Sequence, residues 1–253
     1  MDLQLSGRRA LVTGGTKGIG RAVVEALTGE GVAVAFCART EADVKQAETA
    51  LTESGARVFG AAVDVADADA LRAWVQASAA ELGGIDIVVA NASALAMGTD
   101  EAAWDATLQV DLMHTVRTVD AALPHLEDSD AGSIIVISSV SGREVDFVPF
   151  PYGAIKGALA HYAQGLANQL APKGIRANAV SPGNTYCQGG IWQQVEAGMP
   201  DLFAGVMAQN PTGRMGTPEE VAYAVVMLAS PRASRITGTN LVVDGALTRG
   251  VQL

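Results

Sequence analysis

Short apolar runs alternate with longer helix-like stretches along nearly the whole chain, and that order constrains the fold more than anything else in it. The runs 10–13, 32–37, 57–61, 85–90, 133–138, 175–180 and 241–243 read as strands. The stretches 19–28, 41–54, 68–81, 101–126, 152–171 and 218–229 read as helices. Strands that alternate with helices make βαβ units, and successive units build a parallel sheet covered on both faces. The fold class expected is α/β: a doubly wound parallel sheet of about seven strands, with ligand at the carboxyl ends of the strands. No charge run, Pro-rich linker, low-complexity segment or repeat divides the 253 residues, a length that suits one large domain, 1–253. Hydrophobic residues make up 49% and charged ones 17%, as a sheet buried on both sides requires.

Charge narrows the partners. With 17 basic and 27 acidic residues the net charge is −10, which argues against nucleic acid and anionic membrane surfaces. Cys37 and Cys187 make no disulfide framework and point to a reducing compartment. The start of the chain shows no secretory pattern and no apolar run is long enough to span a bilayer, so a cytoplasmic protein is expected. His114, His125 and His161 form no ligand-like cluster, and no metal is expected.

The first strand-like run leads into Gly14-Gly15-Thr16-Lys17-Gly18-Ile19-Gly20 and then into a helix. Glycines let the chain turn tightly and let a phosphate approach the main chain, and free N–H groups at a helix start face the anion. The spacing Gly-x-x-x-Gly-x-Gly differs from Gly-x-Gly-x-x-Gly. It is not a nucleoside-triphosphatase loop, because Gly18 follows Lys17 where Ser or Thr is needed. The alternative is an ordinary Gly-rich βα turn.

A second, independent signal is Tyr152-Gly-Ala-Ile-Lys156. Residues four apart on a helix share one face. A phenol has a reference pKa of about 10, and a nearby cation favours its ionised form. Tyr152 could then exchange a proton with a substrate oxygen. Ser139, at the end of the run Ile134–Ile137, places a hydroxyl at a strand tip. On its own the Tyr–Lys pair reads equally as a surface Tyr and a solvated Lys.

Taken together, Gly14/Gly18/Gly20, Asp64-Val65, Asn91-Ala92, Ser139, Tyr152/Lys156 and Pro182-Gly183 resemble the short-chain dehydrogenase/reductase family in order and spacing, over nearly the whole chain. Within its single-domain branch the chain is most similar to members like the 3-oxoacyl-carrier-protein reductases. The resemblance implies a Rossmann sheet and an oxidoreductase that moves hydride between a nicotinamide cofactor and a ketone or secondary alcohol. It makes Tyr152 the general acid/base, Ser139 the hydrogen-bond partner of the substrate oxygen, and Lys156 the charge beside Tyr152 and the holder of the nicotinamide ribose. It assigns the cofactor to Gly14, Thr16, Lys17, Gly18, Ile19 and Gly20, puts Asp64 and Val65 at adenine and Asn91-Ala92 behind the ribose and glycine loop, and puts Pro182, Gly183 and Thr185 at the nicotinamide end. It also implies a homotetramer formed through the Gly/Ala-rich helix 152–171 and its neighbour.

Three positions depart from the family pattern. Asp111 stands where an Asn supports a water relay to the lysine, and a carboxylate only accepts hydrogen bonds. Asp111 is read either as part of the catalytic set or as a helix residue of no catalytic weight. Ser93 replaces a Gly, and Cys187 a Thr.

Cofactor choice turns on Phe36-Cys37-Ala38-Arg39-Thr40. An Asp or Glu at this strand end would hold the ribose hydroxyls of NAD; here Ala38 is followed by a cation. Arg39, helped by Lys17, suits the 2′-phosphate of NADP(H), with NAD as the alternative cofactor and a solvated surface arginine as the bland reading. Thr40 reads as the cap of the next helix, with Glu41 and Asp43 in its first turn.

The stretch 184–211 reads as a substrate loop or lid beside the site. Its Tyr186, Trp192 and Phe203, with Val145, Phe147 and Phe150 near Tyr152, suggest an apolar small-molecule substrate; two short amphipathic helices packed on the core are the competing reading. Two other functions remain in view. One is a cofactor-binding regulatory protein with little turnover. The other is an epimerase or dehydratase of the larger branch, for which the short stretch after Val243 leaves little room.

Overall fold

The computed structural model describes residues 2–148 and 150–251. Seven strands, β1 (Arg9–Thr13), β2 (Ala33–Ala38), β3 (Val58–Ala62), β4 (Ile87–Ala90), β5 (Ser133–Ile137), β6 (Arg176–Pro182) and β7 (Asn240–Val243), form one sheet. Every pairing is parallel, in the order β3-β2-β1-β4-β5-β6-β7. The order reverses between β1 and β4, so their carboxyl ends flank a crevice, the place where such sheets bind ligands.

Strand residues point alternately to the two faces, and here both faces are apolar. Ile134 and Val136 of β5 join one core while Ile135 and Ile137 join the other. The first core is covered by α3 (Ala68–Leu82), α5 (His114–Glu127) and α6 (Phe150–Leu170). The second is covered by α1 (Gly18–Gly29), α2 (Glu41–Glu53) and, beside α1, α9 (Pro218–Ala229). At roughly 25 cal/mol per Å² of apolar surface removed from water, these two layers are the main stabilising term.

The structure refines the sequence reading in three places. The stretch 101–126 is not one regular helix. It divides into α4 (Glu101–Thr107), a π-helical turn over Leu108–Met113, and α5. Such turns widen the ladder to i→i+5 bonds, here His114 N–H to Gln109 O. The stretch 184–211 carries two short helices, α7 (Ile191–Gly198) and α8 (Pro200–Met207), closed by Trp192, Val195, Val206 and Met215. Thr40 does occupy the N-cap position of α2, but its side chain makes no capping hydrogen bond. Side chains do cap other helices: Asp67 on α3, Asp100 on α4 and Thr217 in a capping box with Glu220 on α9.

Candidate active site

Strand β1 ends in Thr13, and the chain then turns through Gly14, whose φ of +70° is the left-handed region that favours glycine. Close approach fixes Gly20 as firmly: a Cβ there would lie 2.1 Å from Gly14 O and 2.5 Å from Asn91 Nδ2. Asn91, just past β4, holds this turn by donating from Nδ2 to Thr13 O (2.9 Å) and Gly14 O (3.3 Å). Helix α1 starts at Gly18 with no side-chain cap from Lys17, so its first amides are left for an anion. A dinucleotide pyrophosphate fits this cradle. Cys187 covers it from the far side, its Sγ 3.5 Å from where a Gly18 Cβ would sit.

The other expected cofactor positions are distributed as follows. Thr16 lies in the glycine turn and is half-buried. The Ile19 side chain packs on the second core, leaving its backbone to the cradle. Val65 is a core residue and Asp64 is exposed beside it, its Oδ1 accepting from Ala66 N (3.0 Å). Ala92 N and Asn91 N both donate to Thr13 Oγ1, at 3.1 and 2.9 Å. Pro182 ends β6, and Gly183 lies against Asp244, where a Cβ would be 2.7 Å from that residue's Cβ. Thr185 Oγ1 donates to Gly183 O (3.1 Å). Lys17 and Arg39 are exposed at the ends of β1 and β2, and among the described residues neither is paired with a carboxylate.

Beside the cradle, the end of β5 and the start of α6 are locked together. Ser138 Oγ donates to Lys156 O (2.7 Å), and Lys156 Nζ donates to Ile137 O (3.1 Å). Glycines allow the contact: a Cβ on Gly142 would meet Gly157 N at 2.6 Å, and one on Gly153 would meet Ser141 O at 2.9 Å. Ser139, at the tip of β5, and half-buried Tyr152, in the first turns of α6, are therefore carried on one frame. Lys156 Nζ lies 5.3 Å from the centroid of the Tyr152 ring, within cation–π range.

Lys156 is 2% exposed and Asp111 fully buried, with Nζ 3.1 Å from Asp111 Oδ1. Burial disfavours the ammonium, but Asp111 and Tyr152 outweigh it and hold the lysine pKa above its ordinary value. The contact at Oδ1 is a buried ion pair. The other oxygen, Oδ2, accepts from Ala94 N (2.9 Å). Asp111 reaches this position from the π-helical turn. The carbonyls of Val110 and Asp111 each already accept a side-chain hydrogen bond, from His114 Nδ1 and from Thr115 Oγ1.

Thr13 and His114 were not singled out by their sequence. Thr13 Oγ1 receives two backbone N–H groups, so its own hydrogen goes to His114 Nε2 (3.0 Å), and His114 Nδ1–H then donates to Val110 O. Burial pushes the His114 pKa down to about 4, so the ring is neutral. The end of β1 and the π-helical turn that carries Asp111 are thus joined through one imidazole. The signal was faint: a histidine three residues after Asp111, on the same buried face.

Known proteins similar in sequence and fold identify the family. The family model described as Enoyl-(Acyl carrier protein) reductase matches residues 14–248. Isoepoxydon dehydrogenase patN of Aspergillus clavatus is 42% identical over 252 residues, covering 98% of this chain and 97% of the relative. The chain belongs to the short-chain dehydrogenase/reductase family. L-fucose dehydrogenase of Mus musculus, another short-chain dehydrogenase/reductase relative, is 36% identical, covering 97% of this chain and 90% of the relative. A dehydrogenase/reductase from Sinorhizobium meliloti superposes with a TM-score of 0.90 at 31% identity, covering 98% of each chain. A short-chain oxidoreductase from Pseudomonas aeruginosa, solved with NADPH and described as having an atypical catalytic center, gives 0.87 at 34% identity over 96% of this chain and 98% of its own. Family membership makes this chain one of an oxidoreductase family whose members bind NAD(P), and relatives are named dehydrogenases and reductases.

Proposed function

We propose that this chain is an NADP(H)-dependent oxidoreductase that interconverts a ketone and a secondary alcohol. The observation that carries the reading is the buried Lys156, ion-paired to Asp111 and set 5.3 Å from the Tyr152 ring beside the glycine cradle. Ionisable groups buried at the rim of a cleft are expensive, and they cluster where chemistry is done.

When bound, the nicotinamide cofactor supplies or takes up the hydride. Gly14, Thr16, Lys17, Gly18, Ile19 and Gly20 would hold its pyrophosphate, with Asp64, Val65, Asn91 and Ala92 toward adenine and ribose and Pro182, Gly183 and Thr185 toward the nicotinamide. Ser139 positions the substrate oxygen. Tyr152 gives that oxygen a proton in reduction and removes it in oxidation, and Lys156 keeps a positive charge under the phenol in both directions. Asp111 fixes Lys156 through their buried ion pair. Arg39 and Lys17, which have no carboxylate partner among the described residues, support a 2′-phosphate.

The mouth of the site supports an apolar substrate. Val145 is 93% and Phe150 70% exposed, and Phe147 packs edge-on against Trp192 of α7 at 5.6 Å. We read 184–211 as the lid over this mouth. We further propose a tetramer assembled through α5 and α6 and a cytoplasmic location, consistent with two free cysteines. Among the described residues no helix is long and apolar enough to cross a membrane.

The test is a panel of ketones and secondary alcohols followed by nicotinamide absorbance with NADP(H) and NAD(H). Because relatives are named for isoepoxydon and L-fucose, both belong in the panel. Turnover with NADP(H) favoured is expected. Tight NADPH binding with no turnover of any member would favour the second reading, a cofactor-binding regulatory protein. Asp111, where the family pattern has Asn, is the observation that keeps that reading alive.

A further inference from the structure

His114 is 1% exposed, and no step of the proposed chemistry uses its ring. In a regular α-helix the backbone N–H of His114 would bond Val110 O. The π-helical turn sends that N–H to Gln109 O, and the ring of the same residue takes Val110 O through Nδ1. The side chain thus covers the carbonyl that its own backbone gives up. A residue inserted in this way rotates the helix before it by about 100° against the helix after it. Helix α5 can then lie on the sheet while Asp111, inside the turn, points at Lys156 of α6. The other end of the ring is fixed on a different element. Thr13 Oγ1 accepts from Asn91 N and Ala92 N, so its single hydrogen goes to Nε2 and the ring hydrogen sits on Nδ1. The charged groups that face the ring are Asp111 of the turn and Lys156 of α6.

We propose that His114 is a positioning residue that holds the π-helical turn open, pins it to β1 and so keeps Asp111 on Lys156. The geometry stands by itself, and only its bearing on turnover rests on the oxidoreductase reading above. Val110, which the ring holds, immediately precedes Asp111, so a turn that relaxes towards a regular helix carries the carboxylate away. Lys156 is then buried without its counter-charge. Through Thr13 the ring also leans on the amides of Asn91 and Ala92, beside the Asn91 side chain that holds Gly14 O. The glycine cradle and the Asp111–Lys156 pair therefore share one support.

Two variants separate the ends of the ring. His114→Asn keeps an N–H at the place of Nδ1 and stops short of Thr13. His114→Gln reaches towards Thr13 with an oxygen and leaves Val110 O without the ring's hydrogen bond. The readout is the alkaline NMR titration of Lys156, one of only four lysines in the chain, and it needs no turnover. The Lys156 pKa is expected to fall in His114→Gln by most of the fall seen in Asp111→Asn, and to stay near wild type in His114→Asn. His114→Gln combined with Asp111→Asn should go no further than Asp111→Asn alone, because the effect travels through Asp111. In the wild-type chain, nitrogen NMR of the imidazole should show hydrogen on Nδ1 and a bare Nε2, whatever the variants do to folding. A Lys156 titration unmoved in His114→Gln, additive falls in the double variant, or hydrogen on Nε2 would each overturn the proposal and leave the oxidoreductase reading intact. Absence of turnover across the whole panel would sink that reading without moving the Lys156 titration.

Discussion

The proposed preference for NADP(H) rests mainly on Arg39. That residue follows β2 at Ala38, where no acid is present to hold a ribose diol, and its guanidinium is exposed. A charge-assisted bidentate contact to a phosphate is worth roughly 1.5–3 kcal/mol. Arg39→Ser should therefore raise the Kd for NADPH about tenfold to a hundredfold by fluorescence titration and leave NADH nearly untouched. Equal losses for both cofactors would show that Arg39 serves the fold instead. Gly20 answers a different demand. A methyl there would enter the van der Waals space of Gly14 O and Asn91 Nδ2, so Gly20→Ala must displace the turn. It should weaken both cofactors alike and lower Tm. Full cofactor affinity in Gly20→Ala would contradict the cradle.

The π-helical turn between α4 and α5 presents Asp111 to Lys156 and His114 to Thr13. Asp111→Asn removes the negative charge beside Lys156 but retains an oxygen that can accept from Ala94 N. With that anion gone, burial acts on Lys156 without its counter-charge, and the lysine pKa is expected to fall. The pH–rate profile of oxidation is therefore expected to shift in Asp111→Asn. An unshifted profile would detach Asp111 from the chemistry. His114 predicts a stability effect of definite sign. Burial lowers its pKa from 6.5 to about 4, so the unfolded chain binds the extra proton between those values. Stability contributed by neutral His114 is complete above pH 6.5 and is lost as pH falls toward 4, at up to about 1.4 kcal/mol per pH unit. In His114→Gln, denaturant titrations across that window should lose this share of the slope. A slope identical to wild type would mean that the ring titrates normally.

At the scale of the molecule, strands continuously apolar on both faces leave the sheet no arrangement but burial between two helical layers. That is why the order of elements, the parallel sheet and the glycine cradle were legible in the sequence. The placement of Ser139 at a strand tip and of Tyr152 and Lys156 one turn apart on a helix was legible for the same reason, since strand tips and helix faces have fixed periods. The π-helical turn was not, because the residues Leu108–Met113 fit a regular helix equally well and only the i→i+5 bond reveals the bulge. The Thr13–His114 link was also hidden, because it depends on how that turn brings His114 of α5 onto the end of β1. The outer face of α6 exposes Ala154, His161, Gln164 and Gly165, and Gly165 has open space around it. Gly165→Trp should leave the protomer folded yet break the proposed tetramer of 25.9 kDa chains into smaller species by light scattering. An unchanged mass would move the interface elsewhere. The most direct test of the whole account is single-turnover hydride transfer in wild type and Tyr152→Phe with NADPH and the best ketone. The account predicts a rate about 10²–10⁴-fold lower in Tyr152→Phe with NADPH affinity unchanged. A rate within a few-fold of wild type would contradict it.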